Sequence, residues 1–105
     1  MVTKEEILEK LTQVEDPELG MNIVDLGLIY EVLINEKKPE DKLQHVSIKM
    51  TFTTPACPMI NEMLHDIQNK LDTLADLDIE VNVVFDPLWS PELMSNRAKI
   101  KLGLI

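Results

Sequence analysis

Residues 45–59 read "HVSIKMTFTTPACPM", and no other stretch constrains the architecture as much. Val46, Ile48, Met50 and Phe52 alternate with Ser47, Lys49 and Thr51, the pattern of a strand covered on one face only. Pro55 and Pro58 then break the alternation. Beyond them Met59, Ile60, Met63, Leu64, Ile67, Leu71 and Leu74 recur at helical spacing. Pro58 suits the first position of that helix, which places Cys57 at its N-cap. "DIEVNVVF" (78–85) returns to a strand, with Ile79, Val81, Val83 and Phe85 on one side. Two strands joined through a helix run parallel, with a right-handed crossover.

Upstream, "LIYEVLI" (28–34) is rich in β-branched and aromatic residues and reads as a strand. The charged "NEKKPEDK" (35–42) joins it to the strand at 45, so that pair is antiparallel. "TKEEILEKLTQV" (3–14) reads as a helix. Thr3 and Glu6 have capping-box spacing, Ile7, Leu8, Leu11 and Val14 share a face, and Asp16-Pro17 ends the run. "EDPELGMNIVDLG" (15–27) reads as a compact irregular segment in which Asn22 caps one turn and Gly27 closes it in a left-handed conformation. After residue 85, Ser90-Pro91-Glu92 and Ser95 are helix-start signals and Gly103 is a stop. The expectation is one α/β domain over 1–105, ordered α-β-β-α-β-α. It has two layers, a three-stranded mixed sheet with helices on one face.

A chain of 105 residues with 45% hydrophobic content can bury one core. A net charge of −9 supplies no basic footprint for nucleic acid and no basic face for a membrane surface. No apolar run approaches the ~20 residues of a membrane span. One cysteine and no export signal point to the reducing cytoplasm.

The topology carries a functional expectation. "TTPACP" (53–58) and "DPLWSP" (86–91) both leave the C-terminal ends of parallel strands, and the 15–27 segment feeds the antiparallel strand at that same edge. Cys57, Asp16, Asp25, Asp86 and Trp89 should therefore gather there, with the hairpin carrying Glu40 at the far end. Sites in α/β structures favour the carboxyl ends of parallel strands. A thiol at a helix N-terminus has a lowered pKa, and the thiolate is the form that attacks or binds metal. A small buried cysteine is the competing reading. Cys-His catalysis is disfavoured. His65 lies eight residues along the helix, ~12 Å of rise, and His45 begins the far end of its strand. Asp16 and Asp86 could be turn openers, Asp25 a turn residue or a partner of the Cys57 loop, and Thr53 and Thr54 helix caps. Trp89 is a core plug or a partly exposed docking residue. One thiolate falls short of the four ligands of a complete metal site, so remaining ligands would come from a partner or from a second copy in a homodimer.

"DPELGMNIVDLGLIY", "MTFTTPACPM" and "FDPLWSPELMS", at matching spacing over nearly the whole chain, resemble the SufT/PaaD-like family of metal–sulfur cluster biosynthesis proteins. The resemblance implies an iron–sulfur cluster assembly domain-like fold and an accessory, carrier or targeting role in maturing iron–sulfur proteins. The partners it implies are an assembly scaffold or client apoproteins. Carried over by position, it makes Cys57 the reactive thiol, set between Thr53, Pro55 and Pro58, for transient binding of iron, an iron–sulfur cluster or persulfide. It assigns supporting places to Asp16, Pro17 and Glu18, to Asp25 and Gly27, and to Asp86, Pro87, Trp89, Pro91 and Met94. The alternatives are a metal-free adaptor docking through its acidic surface and the Trp89 loop, a thiol enzyme, or an accessory for maturing one oxygenase pathway.

Overall fold

The computed structural model describes residues 2–17, 19–35, 43–53, 59–74 and 77–103. Helix α1 (Lys4–Leu11) leads into two short strands, β1 (Glu15–Asp16) and β2 (Met21–Asn22). Strands β3 (Ile29–Ile34) and β4 (Gln44–Met50), helix α2 (Ile60–Asp72), strand β5 (Leu77–Val83), a 3₁₀ turn (Pro91–Leu93) and helix α3 (Asn96–Lys101) follow. The main sheet has the order β3-β4-β5, antiparallel then parallel, as the sequence implies.

The alternation in β4 becomes burial. Val46, Ile48 and Met50 are buried and Phe52 continues the row, while His45 and Lys49 stay exposed. On α2 the buried residues are Met63, Ile67 and Leu71, a stripe at intervals of four that turns the helix toward the sheet. α1 contributes Ile7 and Leu11 and packs against α2 and β3, so the core lies on one face of the sheet. The other face carries His45 Nδ1 at 2.7 Å from Asp78 and Lys49 Nζ at 3.6 Å from Glu31. All four residues are about half exposed, and such pairs contribute little.

Four expectations are corrected. α1 keeps its Thr3–Glu6 capping box but ends at Leu11, five residues before Asp16-Pro17. Val14 is buried without being helical, because its carbonyl takes the N–H of Ile23. The 15–27 segment is not wholly irregular: Glu15 pairs with Asn22 and Asp16 with Met21 as a small antiparallel ribbon. Thr51, expected to face outward, is fully buried where its N–H bonds the Leu28 carbonyl at 2.9 Å. Helix α2 begins at Ile60 with Met59 as N-cap, so the N-cap is neither Cys57 nor Thr53, and Pro58 is not the first helical residue. Cys57, Thr54, Glu18 and Glu40 lie outside the described residues.

Candidate functional site

The edge where β4 and β5 end is built from two loops that lock together. The first starts at Asn22, whose Oδ1 accepts the Asp25 N–H at 2.8 Å while its Nδ2 donates to Asp25 Oδ2 at 2.9 Å. Leu26 N–H returns to the Asn22 carbonyl, and Gly27 closes the turn at φ +76°. This is the capped turn the sequence implied. It presents the Leu26 carbonyl and the flat face of Gly27 toward the second loop.

The second loop leaves β5 and docks there. Trp89 Nε1 donates to the Leu26 carbonyl at 2.6 Å, and Ser95 N–H donates to the Asp25 carbonyl at 2.8 Å. Leu93 packs so closely on Gly27 that a Cβ there would overlap the Leu93 carbonyl. Tyr30 of β3 donates its hydroxyl to the Pro87 carbonyl at 2.8 Å. Three segments distant in sequence thus hold one another mainly through backbone groups.

Asp25 and Trp89 come together as expected, Asp25 as the turn residue that was one of its two readings and Trp89 neither wholly a core plug nor free for docking. Asp25 is held by Asn22. Trp89 is half buried with its indole N–H committed, so it is a brace; the exposed residue beside it is Leu88, at 68%. Asp86, whose peptide to Pro87 is cis, is exposed at the rim. Asp16 is buried, at 2% exposure, in the ribbon beside the first loop. Thr53 is half buried beyond the end of β4. His45 sits at the start of β4, paired to Asp78, and His65 is exposed on α2. Among the described residues no three His, Cys, Asp or Glu side chains form a group able to hold a metal.

Sequence reasoning missed the parts that act through main chain: the Leu26 carbonyl, the Pro87 carbonyl and the Ser95 N–H. Only Asn22 carried a signal, its preference for capping. The bracing role of Trp89 is measurable. Trp89→Phe keeps an aromatic ring, though a smaller one, but leaves the buried Leu26 carbonyl without its donor, an expected loss of about 1–3 kcal/mol. Urea unfolding of both proteins reads it, and an unchanged midpoint would refute the bracing role.

A domain of this topology, with its irregular segments meeting at the open ends of parallel strands, matches one family. The sequence profile described as iron–sulfur cluster assembly protein fits residues 4–83. The chain belongs to that family, whose members serve iron–sulfur cluster assembly, and it is SufT-like as the sequence motifs implied. It is 41% identical over 102 residues to the Fe-S protein maturation auxiliary factor YitW of Bacillus subtilis, covering 96% of this chain and 94% of that protein. It is 37% identical over 90 residues to the Fe-S protein maturation auxiliary factor SufT of Staphylococcus aureus, covering 85% of this chain and 96% of that one. The crystal structure of a domain of unknown function, DUF59, from Bacillus anthracis superposes with a TM-score of 0.84 at 40% identity, over 97% of this chain and 92% of that one.

Proposed function

We propose that this protein is a non-catalytic accessory factor of iron–sulfur protein maturation whose Cys57 thiolate transiently takes iron, a cluster or persulfide sulfur. The observation that carries the reading is the interlocked edge of the sheet. The Asn22–Gly27 turn and the Asp86–Ser95 segment are fastened to each other where β4 ends, and β4 runs on directly into the stretch that holds Cys57. A chain with one thiol supplies one thiolate ligand, so a bound metal needs further donors from a scaffold, a client apoprotein or a second copy. Incomplete ligation suits a carrier, because cargo held by one residue is readily passed on.

Cys57 stands two residues before the N-cap of α2, and the Met59 cap makes no side-chain hydrogen bond to the first turn. Unsatisfied N–H groups and the helix dipole there favour a nearby anion. Asp16, buried in the ribbon, is a supporting residue of this reading through the family's acidic motif. The reading places the protein in the cytoplasm, where thiols stay reduced. Among the described residues no helix is long and apolar enough to cross a membrane.

The reading is tested by alkylating the native protein with iodoacetamide across a pH series. The expected result is a single reactive thiol with an apparent pKa clearly below the reference of about 8.5. Reaction only after unfolding would eliminate it. A metal-free adaptor is the second reading, favoured by Leu88 at 68% and Leu93 at 44% exposure beside the site. It forecasts that client association survives blocking of the thiol, whereas the carrier reading forecasts that maturation stops.

A further inference from the structure

Behind the Asn22–Gly27 turn lies a cleft of about 260 Å³, lined by Thr12, Glu15, Gly20, Met21, Asn22, Asp25, Arg97 and Lys101. Arg97 is the only arginine of the chain. It stands four residues before Lys101, so the two cations share one face of α3 and border the cleft together. Glu15 of β1 and Asp25 of the turn bring two carboxylates to the same cleft. Yet among the described residues neither cation has a carboxylate oxygen within 4.0 Å.

Asp25 Oδ2 is held by Asn22, and the other carboxylate oxygen accepts no hydrogen bond from the described residues. The turn fixes Asp25 through its own N–H and carbonyl, so this carboxylate is positioned rather than free to swing. Gly20 leaves the mouth open, since nothing lies within 4 Å of where its Cβ would be.

A cleft bordered by both signs of charge selects a ligand carrying both. The volume is below the roughly 300–1,000 Å³ of sites for drug-sized molecules, so the ligand is small. We propose that this cleft binds the zwitterion of a small α-amino acid. The planar fork of Arg97 donates to the carboxylate in bidentate fashion, with Lys101 beside it. Asp25 and Glu15 receive the ammonium, and the short side chain lies toward Thr12 and Met21. An anion alone would meet the carboxylates, and a cation alone would meet Arg97 and Lys101. The site shares the Asn22–Gly27 turn with the edge described above but uses neither Cys57 nor the Trp89 indole, so its test reads separately from that of the carrier reading.

The test is an ¹⁵N–¹H spectral titration of the intact protein at constant ionic strength with glycine, L-alanine and, under reducing conditions, L-cysteine. Alaninamide, which lacks the carboxylate, and N-acetylalanine, which lacks the ammonium, serve as controls. The expected result is saturable shifts of the Gly20, Asn22, Asp25 and Arg97 amides with the three amino acids and not with the controls. Arg97→Gln and Glu15→Gln change exposed side chains, so their folding is checked in the same spectra, and each should weaken binding by about tenfold or more. Cys57→Ser should bind as the wild type does. Absence of saturable shifts, equal shifts with either control, or unchanged binding by Arg97→Gln would each overturn the proposal.

Discussion

Gly27→Ala should destabilise the domain by roughly 3 kcal/mol or more, a large share of the 5–15 kcal/mol typical of a folded domain. Two costs add. At φ +76° the residue is left-handed, which costs a side-chain-bearing residue roughly 1–2 kcal/mol. The new methyl group would also overlap the Leu93 backbone, and forced overpacking costs typically 1–3 kcal/mol. Gly20 is the internal control. It has φ +66° but open space around its Cβ position, so Gly20→Ala carries the first cost alone. In thermal melts Gly27→Ala should fall by roughly 12–24 °C, at 4–8 °C per kcal/mol for a domain of this size, and Gly20→Ala by roughly a third to two thirds of that. Equal shifts in the two variants would mean that the contact between the turn and the Leu93 segment adds nothing.

Cys57→Ser should remove iron–sulfur loading almost entirely while leaving the fold nearly intact. A serine hydroxyl has close to the shape of the thiol but does not ionise near neutral pH and is a poor ligand for a soft metal. The chain has no second cysteine to compensate. Under anaerobic reconstitution with iron and sulfide, wild-type protein mixed with a client apoprotein should acquire and pass on metal. The variant should lose at least nine-tenths of that transfer, and its melting temperature should stay within a few degrees of wild type. A core cysteine forecasts the reverse, with transfer preserved and roughly 1–3 kcal/mol lost when a hydroxyl enters apolar surroundings. Measuring both quantities on the same samples separates these outcomes.

The element order and strand directions were legible because the periodic segments are long. Val46 to Phe52 and Met63 to Leu71 each repeat often enough to set a face, and the short charged loop or the crossover helix then fixes each strand's direction. The ribbon of β1 and β2 was not legible. Each strand has two residues, too few for a period, and what holds them is backbone pairing and the bond from Ile23 to the Val14 carbonyl. The start of α2 was misplaced by letting Pro58 mark it, since a proline that fits a first helical position does not require one.

Within the site, the convergence of the Asp25 and Trp89 segments followed from topology alone. The role of Trp89 did not, because its partner is a carbonyl 63 residues away and a main-chain acceptor leaves no trace in residue identity. Arg97 was passed over for a related reason. A cation on a short helix says nothing until the fold shows which carboxylates share its cleft.

The one-sided sheet has a practical corollary. Its outward face carries Leu33, His45, Ser47, Asp78, Glu80 and Asn82, and only at Glu31 and Lys49 does it border a cleft shared with the locked loops. Its cross-strand contacts are solvent-screened, so replacing one member disturbs little beyond that pair. Asn82, whose only side-chain bond among the described residues is a 3.4 Å contact to Ser47, is therefore a natural attachment point for a fluorophore, a spin label or a surface tether. Because the carrier reading needs a free Cys57 thiol, the coupling there should use a non-thiol chemistry. A molecule immobilised by this face would leave its working edge turned toward whatever flows past it.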